Sequence, residues 1–329
     1  MTLGSGEISS RRAVLFGGSG FIGRHLTIAL AEQGYEVVIA DIRTPGFPLP
    51  SNVTFQRCDV RERITVSSAG TVDLVVNLAA IHRTPGHKDH EYFDTNVPGA
   101  VNVSDWCREK DARTVVFLSS ISVYGPDEEH KTESTVPTPT TAYGSSKLQA
   151  EEAHRAWLAS VADGQLLVVR PAAIFGVGEG GNFTRLAAAM QRRRFAYPGR
   201  ENAVKSCGYV GDLVDAIVFA LGLGERELTM NFCYPQRVTL GDVCRAYADT
   251  AGYPLPHRIP KAVVRTAIGT ERTLNRLGVE IRVIERAMKL VQSTDIGPDV
   301  LVAHGFVWNT DLLSGIQSWC TESATGRFE

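Results

Sequence analysis

The most constraining feature of the sequence is a series of short apolar runs, separated by stretches long enough to form helices. The runs are rich in Val, Ile and Leu, and they are AVLFG at 13, YEVVIAD at 35, VTFQRCD at 53, VDLVVNLAA at 72, RTVVFLSS at 113 and QLLVVRP at 165. Continuous apolar runs of this length are typical of strands covered on both faces, and parallel strands require long crossovers. The sequence therefore predicts an α/β fold with a doubly wound parallel sheet.

The composition changes after the sixth run, where glycine-rich and basic stretches follow. We expect residues 1–11 to form a flexible tail. The sheet domain is predicted at 12–171 and about 205–235, and a smaller substrate-binding cap at about 172–204 and 236–329. Because ligands of open α/β sheets bind outside the carboxyl ends of the strands, such a cap would cover that crevice.

The overall composition excludes several classes of partner. The chain has 329 residues, 43% hydrophobic residues and a formal net charge of −2, so it can bury a full core and offers no basic stripe for nucleic acid. No uninterrupted apolar stretch reaches the length of a membrane span, and the first residues lack the apolar segment of a secretory signal. Six scattered cysteines without a CxxC pair favour reduced packing residues. We therefore expect a cytoplasmic location.

A glycine-rich motif, GGSGFIG at 17–23, follows the first predicted strand and opens a predicted helix that ends near Gly34. Gly17, Gly20 and Gly23 have the spacing that allows a tight turn, close approach of the backbone to a pyrophosphate, and close packing of helix on strand. The amino end of the helix supplies N–H donors and positive potential. The motif predicts dinucleotide binding; a simple tight turn is the alternative.

An acidic residue strengthens this interpretation, because Asp41 ends the second predicted strand. Its carboxylate is placed to accept hydrogen bonds from an adenosine ribose, and it would repel a 2′-phosphate, which favours NAD over NADP. Arg43 and Arg24 could pair with such a phosphate or could be solvated surface arginines, so NADP is not excluded. Asp59 after the third strand fits an adenine contact, with a turn-forming role as the alternative.

The stretch TAYGSSKLQAEEA at 141–153 places Tyr143 and Lys147 four residues apart. On a helix these two side chains share a face, which is compatible with a surface helix or with a tyrosine activated by a lysine. Gln149, Glu151 and Glu152 in the same stretch are expected to be solvated. Ser120, at the end of the fifth strand, could serve the same site or satisfy nearby backbone groups.

These motifs occur together in an order that resembles the extended short-chain dehydrogenase/reductases, the NAD-dependent epimerase/dehydratase family. The similar segments are GGSGFIG, CDV, NLAA at 77–80, TNVPGAVNV at 95–103, SSISVYG at 119–125, YGSSK, RPAAIFG at 170–176, YVGDL at 209–213 and GFVWNTDLLSGI at 305–316. The resemblance implies a Rossmann-like fold and a nucleotide-sugar substrate. It also implies a homodimer built from helices at about 96–110 and 142–160.

Carried over position by position, the resemblance implies a catalytic trio of Ser120, Tyr143 and Lys147. It places along the cofactor the residues Gly17, Gly20, Phe21, Ile22, Gly23, Asp41, Arg43, Asp59, Val60, Leu78, Ala79, Ala80, His82, Asn96, Ser119, Tyr143, Lys147 and Pro171. It places at the substrate the residues Arg83, Ser120, Ser122, Tyr143, Asn182 and Lys205. Lys205 stands where many relatives carry an arginine that binds the nucleotide phosphate, so the charge is kept and the bidentate geometry is lost.

The chemistry of hydride transfer explains why such a trio is needed. A base must take the proton of a sugar hydroxyl, and an ordinary tyrosine with a pKa of about 10 is not ionised at neutral pH. We expect Lys147 and the positive charge of oxidised nicotinamide to lower the pKa of Tyr143 by favouring the phenolate.

Departures from the family's patterns narrow the reaction. Ile121 and Ser122 stand where sugar dehydratases carry an acidic residue, so dehydration is not expected; Ala173 replaces an asparagine common in UDP-galactose epimerases. The leading hypothesis is an NAD-dependent nucleotide-sugar 4-epimerase, with a 4-ketosugar reductase as the alternative. A dinucleotide-binding sensor or scaffold without catalysis is a third.

The histidine-rich loop IHRTPGHKDHEY at 81–92 raises the question of a metal site. His82, His87 and His90 lack a matching shell of Cys or carboxylate ligands, so no metal is predicted. We expect His82 and Arg83 to face cofactor or substrate, and His87 and His90 to be solvated.

Overall fold

The central feature of the fold is a seven-stranded sheet. A computed structural model describes residues 11–68, 70–82, 86–125, 128–197, 200–259 and 292–328. The strands follow the order β10-β6-β5-β4-β1-β2-β3, and their bounds are β1 Arg12–Phe16, β2 Glu36–Asp41, β3 Val53–Arg57, β4 Leu74–Asn77, β5 Thr114–Leu118, β6 Gln165–Pro171 and β10 Glu227–Phe232. The neighbouring pairs from β3 to β6 are all parallel. The predicted α/β sheet is confirmed, and each of the six apolar runs overlaps one of its strands.

Helices connect these strands in the predicted alternation. Their bounds are α1 Phe21–Glu32, α2 Asp89–Glu109, α3 Ala142–Ala159 and α5 Val210–Gly222, and a short 3₁₀ helix covers Ile121–Tyr124. Helix α1 ends at Glu32, near the predicted end, and Gly34 two residues later is in the left-handed conformation, with φ of +82°. The order of β1, α1 and β2 therefore agrees with the sequence prediction.

The chain divides into two compact units. The first comprises residues 1–123, 139–170 and 217–229. Its core lies between the sheet and helices α2 and α3, where the rings of Phe16 and Trp106 meet edge to face with centroids 5.3 Å apart. The Trp106 indole N–H donates to the carbonyl of Val66 at 3.2 Å, so this large side chain is buried with its polar atom satisfied.

The second unit comprises residues 124–138, 171–216 and 230–329. Its described elements include β7 Ala173–Phe175, α4 Asn182–Gln191, β8 Ala196–Tyr197, β9 Cys207–Tyr209, α6 Leu240–Ala251, β11 His257–Arg258, α7 Asp299–Ala303 and α8 Leu312–Glu322. Aromatic rings form part of its core. Phe175 stacks on Phe183 with ring centroids 4.9 Å apart, and Trp319 meets Phe328 edge to face with centroids 5.1 Å apart. The predicted domain boundaries stay a prediction, and residues 1–10 of the predicted tail lie outside the described residues.

Two further expectations concern the cysteines and the membrane. All six cysteines are free thiols, five of them buried and Cys320 half-buried. Among the described residues, no helix combines the length and the apolar character needed to cross a bilayer.

Candidate active site

The glycine motif forms a tight turn between β1 and α1. Gly17 has φ of +78°, and a Cβ at this position would lie 2.6 Å from the backbone nitrogen of Ala79. The turn holds because Gly17 N donates to the carbonyl of Ala40 at 2.8 Å and Gly20 N donates to that of Gly17 at 3.2 Å. Gly20 caps α1 without a side-chain hydrogen bond, and the first turn of the helix carries no acidic residue. The amino end of the helix, at Phe21, Ile22 and Gly23, therefore has no side-chain cap, and helix ends of this kind bind phosphate in other proteins.

Asp41 is bound to this turn at the end of β2. Its carboxylate is buried and accepts hydrogen bonds from Ser19 N at 3.1 Å and from Arg43 N at 3.0 Å. The hydroxyl of Ser19 also donates to the carbonyl of Arg43 at 2.7 Å, so the loop after β2 and the glycine turn support each other. Arg43 is exposed, whereas the guanidinium of Arg24 lies 5.7 Å from the centre of the Phe47 ring.

Asp59 and Val60 follow β3 with different environments. Asp59 accepts hydrogen bonds from the side chain of Arg61 at 2.6 and 3.0 Å and from the Arg61 backbone N–H at 3.0 Å. These hydrogen bonds hold the pKa of Asp59 below its ordinary value, and they correspond to the turn-forming role considered for this residue. Val60 is buried in the core of the first unit, and its carbonyl accepts from Asn102 at 2.8 Å.

The segment after β4 carries Leu78, Ala79 and Ala80 past the glycine turn. Asn96 on α2 holds the next residue, Ile81: its side-chain oxygen accepts from Ile81 N at 2.9 Å, and its amide donates to the Ile81 carbonyl at 3.1 Å. The Asn96 amide also donates to Ser146 Oγ at 2.9 Å, and Ser146 Oγ donates to the carbonyl of Tyr143 at 2.8 Å. Asn96 thus joins the predicted cofactor loop to the start of α3.

The three predicted catalytic side chains lie in the first unit, and two of them interact. The interaction between the side chains of Ser120 and Tyr143 acts to lower the pKa of Tyr143. Ser120 Oγ also donates to Ser122 Oγ and accepts from Ser122 N, both at 3.1 Å. The start of α3 approaches this turn closely, because a Cβ at Gly144 would collide with the Ser122 carbonyl oxygen. Glycine after Tyr143 therefore lets the start of α3 lie close to the turn that carries Ser120 and Ser122.

Burial acts strongly on the ionisation of Tyr143 and Lys147. Burial raises the pKa of Tyr143 to about 12, while the interaction with Ser120 acts in the opposite direction. Lys147 is 2% exposed, and burial lowers its pKa to about 7, opposed by the carboxylate of Glu151. The sequence analysis expected a lowered pKa for Tyr143, with oxidised nicotinamide contributing. In the polypeptide itself the direction is the reverse, because burial disfavours the phenolate more than neighbouring groups favour it.

Several neighbours of the trio were not identified from the sequence. The ring of Tyr92 lies 6.0 Å from that of Tyr143, and Lys147 Nζ lies 4.2 Å from the centre of the Phe117 ring. Glu151 was expected to be solvated, and this expectation is wrong: its side chain is fully buried. The four-residue spacing from Tyr143 through Lys147 to Glu151 puts them on one helix face, which was the available signal.

The predicted substrate residues are distributed over both units. Ser122 lies beside Ser120 in the first unit. In the second unit, Asn182 begins α4 and accepts from Arg185 at 2.9 Å, and Lys205 is half-buried and donates to the carbonyl of Gln292. Burial lowers the pKa of Lys205 to about 8. Arg83 lies outside the described residues.

The remaining predicted site residues are placed as follows. Ser119 is buried, Pro171 ends β6, and His82 is exposed. His87 and His90 are also exposed, and His87 pairs with Glu91 at 3.1 Å. In the part of the chain that the structure describes, no group of three or more His, Cys, Asp or Glu side chains is arranged to hold a metal ion.

Comparisons with known proteins agree with this architecture. A 4-epimerase of N-acetylglucosaminyl-diphospho-undecaprenol from Escherichia coli O157:H7 is 32% identical over 214 residues, which are 63% of this chain and 62% of that protein. UDP-glucose 4-epimerase from Streptomyces lividans is 27% identical over 300 residues, which are 80% of this chain and 90% of that enzyme. The chain therefore spans slightly less than two thirds of the first relative and most of the second.

Solved structures show the same fold. The complex of MoeE5 with UDP-glucuronic acid and NAD superposes with a TM-score of 0.73 at 24% identity, covering 93% of this chain and 97% of that one. The complex of Thermus thermophilus UDP-glucose 4-epimerase with NAD gives a TM-score of 0.70 at 23% identity, with coverage of 94% and 97%. The predicted Rossmann-like fold is confirmed.

The family model of the NAD dependent epimerase/dehydratase family matches residues 13–232, more than half of the chain. This stretch contains the glycine turn, Asp41 and the predicted trio. The uncapped amino end of α1 and the room left by Gly17 fit the dinucleotide that the family name specifies. The chain belongs to the NAD dependent epimerase/dehydratase family, a family of enzymes named for their use of NAD.

Proposed function

We propose that the protein is a nucleotide-sugar 4-epimerase that acts through a 4-keto intermediate. The observation that carries this proposal is that three side chains come together: Ser120 interacts with Tyr143, and Lys147 lies one helical turn further along α3. A hydroxyl of the substrate that bound beside Ser120 would have a proton acceptor and a proton donor within reach, as reversible oxidation at carbon 4 requires. NAD, when bound, supplies the hydride acceptor that returns the hydride in the same turnover.

The residues of the polypeptide have separate tasks in this scheme. Tyr143 takes the proton of the 4-hydroxyl and gives it back to the opposite configuration. Ser120 binds the same oxygen, and Ser122 holds Ser120 in place. The Lys147 ammonium, when protonated, favours the phenolate of Tyr143, since an opposite charge stabilises the ionised form. Because burial opposes both charges, the scheme requires them to form together.

The carrier of the sugar is part of the proposal. Relatives act on UDP-glucose and on a sugar joined to undecaprenol through a diphosphate, and both substrates place a diphosphate beside the sugar. We propose that Asn182 and Lys205 bind that diphosphate-linked substrate. Lys205 would provide a point charge rather than the bidentate contact of an arginine.

Purified protein tests the proposal directly. Native mass measurement should find NAD retained in the purified protein. UDP-hexoses, UDP-N-acetylhexosamines and a prenyl-diphosphate sugar are then tested as substrates by NMR. The spectra should show interconversion of a sugar and its 4-epimer without net formation of NADH. Stoichiometric consumption of NAD(P)H with a 4-keto nucleotide sugar would instead establish the reductase and overturn the epimerase. Turnover of the prenyl-diphosphate sugar, compared with turnover of the UDP-sugars, distinguishes the two classes of carrier.

We further propose a homodimer formed by α2 and α3, and a cytoplasmic location. The exposed Val101 on α2 supports the homodimer, because a helix of the partner would cover it. The six free cysteines support the cytoplasmic location, because reduced thiols are typical of the cytoplasm. Sedimentation at micromolar concentration, with a monomer as the contradicting result, tests the dimer; cell fractionation tests the location.

A further inference from the structure

A carboxylate lies in the interior of the first unit, one helical turn from Lys147. Glu151 is on α3 and its side chain is 0% exposed. Tyr143, Lys147 and Glu151 are spaced four residues apart, so they form one stripe along the helix. A buried carboxylate is strongly destabilising unless hydrogen bonds and positive charges compensate for its lost hydration. Its partners therefore define its role.

Glu151 accepts hydrogen bonds from three different side chains. Arg170 on β6 donates from Nε at 2.9 Å and from Nη2 at 2.6 Å, an arrangement that uses both carboxylate oxygens. Ser119 Oγ donates at 2.6 Å and Arg155 Nη2 donates at 3.3 Å. Arg170 is 4% exposed, so its paired contact with Glu151 is shielded from water and from salt.

The second arginine is shared with the surface. Arg155 also donates to Glu152 and to Glu227, both at 2.8 Å, and its side chain is 25% exposed. Its positive charge is therefore distributed over three carboxylates. Arg170 is the closer partner of Glu151, and the carboxylate retains an electrostatic interaction with the Lys147 ammonium.

Ser119 connects this cluster to the catalytic serine. Ser119 is the residue before Ser120, and its backbone N–H donates to the carbonyl of Val169 on β6 at 2.7 Å. The hydroxyl of Ser119 donates to Glu151, so the chain leaving β5 is held at both its backbone and its side chain. Ser120 then extends from a fixed peptide toward Tyr143, which lies two helical turns before Glu151.

We propose that Glu151, held by Arg170, is a positioning residue that keeps the Lys147 ammonium charged and fixes Ser120 opposite Tyr143. The proposal rests on the proposed function, because it gives Glu151 a role in the same site. Glu151 touches neither the substrate nor the cofactor in this scheme. It acts through Lys147 and through Ser119.

Glu151 is the negative charge that stabilises the Lys147 ammonium, because the other groups around Lys147 are uncharged or positive. On α3, burial lowers the pKa of His154 to about 3, so the imidazole is neutral above acidic pH. Burial raises the pKa of Tyr143, which keeps its hydroxyl protonated. From β5 the uncharged ring of Phe117 faces the ammonium, and from α2 Tyr92 faces Tyr143. Arg155 and Arg170 bind Glu151, and as positive groups they would oppose the Lys147 charge if Glu151 were neutral.

The test is a titration of Lys147 in protein labelled with ¹³C at the lysine ε-carbon. The Lys147 resonance is identified by its loss in Lys147→Arg. In Glu151→Gln the midpoint of Lys147 should move to lower pH by about one unit, since one compensating negative charge is removed. Glu152→Gln is the matched control, because Glu152 is the adjacent carboxylate and is exposed. In this variant the midpoint of Lys147 should equal the wild-type midpoint.

Kinetics provide the second measurement. Glu151→Gln should lower kcat by about tenfold or more with KM changed by less than about twofold, because the loss concerns the reacting groups and not substrate binding. Glu151→Asp, which keeps the charge, should restore the Lys147 midpoint more than it restores kcat. An unchanged Lys147 midpoint in Glu151→Gln would overturn the proposal.

If Glu151→Gln does not fold, Ser119→Ala tests whether Glu151 positions Ser120 through Ser119. In that variant kcat should fall by about fivefold, as expected for one lost hydrogen bond. An unchanged kcat would overturn the proposal. Failure of the proposed function is separate, because the NMR titration needs no substrate. If the wild-type protein interconverts no sugar but Glu151→Gln still shifts the Lys147 midpoint, the result contradicts the epimerase and supports the electrostatic role of Glu151.

Discussion

The side-chain amide of Asn77 lies 3.0 Å from Nε2 of His154, which ties the carboxyl end of β4 to the helix that carries Tyr143 and Lys147. The Asn77 oxygen accepts from Ala79 N at 3.2 Å, so its amide is the donor to His154. Nε2 is then an acceptor, and Nδ1 carries the proton toward Ser104 Oγ at 3.1 Å. The buried imidazole is therefore neutral and in one tautomer.

This arrangement predicts a loss of stability in acid. Burial lowers the pKa of His154 from 6.5 to about 3, so between these values the unfolded chain binds one more proton than the folded protein. Stability contributed by this group is complete above pH 6.5 and falls toward pH 3, with a slope of at most about 1.4 kcal/mol per pH unit. In His154→Gln, which has no imidazole to protonate, chemical unfolding should show a shallower decline over this window.

The matched control is His87→Gln, at the exposed end of the loop before α2. Its free energy of unfolding should follow the wild-type dependence on pH. Superimposable curves for His154→Gln and the wild type would show that the buried imidazole is not what acid titrates.

Removing one hydroxyl should separate catalysis from cofactor binding. Tyr143→Phe removes the only group through which the scheme moves a proton, so kcat should fall by a factor on the order of 10² to 10⁴. The dissociation constant of NAD, measured by calorimetry, should stay within about twofold of the wild-type value. Tyr35→Phe is the control, because the Tyr35 hydroxyl accepts from Arg11 at the surface. Wild-type turnover in Tyr143→Phe would remove the catalytic assignment and favour the non-catalytic dinucleotide-binding alternative.

Two glycines with similar φ angles should respond differently to an added methyl group. Gly34→Ala should cost about 1–2 kcal/mol of unfolding free energy from the left-handed conformation alone, since nothing lies within 4 Å of the new Cβ. Gly17→Ala should cost more and should abolish NAD binding, because its Cβ would lie 2.6 Å from Ala79 N. Urea unfolding and fluorescence titration with NADH measure both effects. Equal losses at the two positions would refute the close approach of the chain after β4.

The choice between NAD and NADP should depend on the charge of Asp41. Asp41→Asn should reduce the preference for NAD over NADP by about tenfold or more, because a charged acceptor for the ribose is lost and repulsion of a 2′-phosphate ends. Glu36→Gln, at the other end of β2, is the control and should leave the ratio of the two dissociation constants unchanged. A ratio unchanged in Asp41→Asn would indicate that the adenosine ribose binds elsewhere.

Much of the fold and part of the site could be predicted from the chain alone. The runs from 13 to 165 were predicted as strands because continuous apolar residues and helix-length intervals are local properties. Asp41 was placed at the end of β2 for the same reason. Glu151 was misjudged, because its neighbours in sequence are polar and its partners, Ser119 and Arg170, come from β5 and β6.

His154 was not identified for a related reason. Its partner Asn77 is 77 residues away, and Ser104 is 50 residues away. No periodicity within α3 distinguishes an imidazole that closes such a chain of hydrogen bonds from one that faces water. Tyr92 and Phe117 were missed likewise, because they meet Tyr143 and Lys147 from other elements.

The sequence by itself determined the alternation of strands and helices, the glycine turn before α1, and the spacing that puts Tyr143 and Lys147 on one helix face. Each of these follows from residues close together in the chain. The tertiary structure alone decided how those groups ionise. Burial raises the pKa of Tyr143 and lowers that of Lys147, and Glu151 opposes the second effect. Hydration and Coulomb energy depend on what surrounds a group in space, and only folding brings β5, β6 and α3 together.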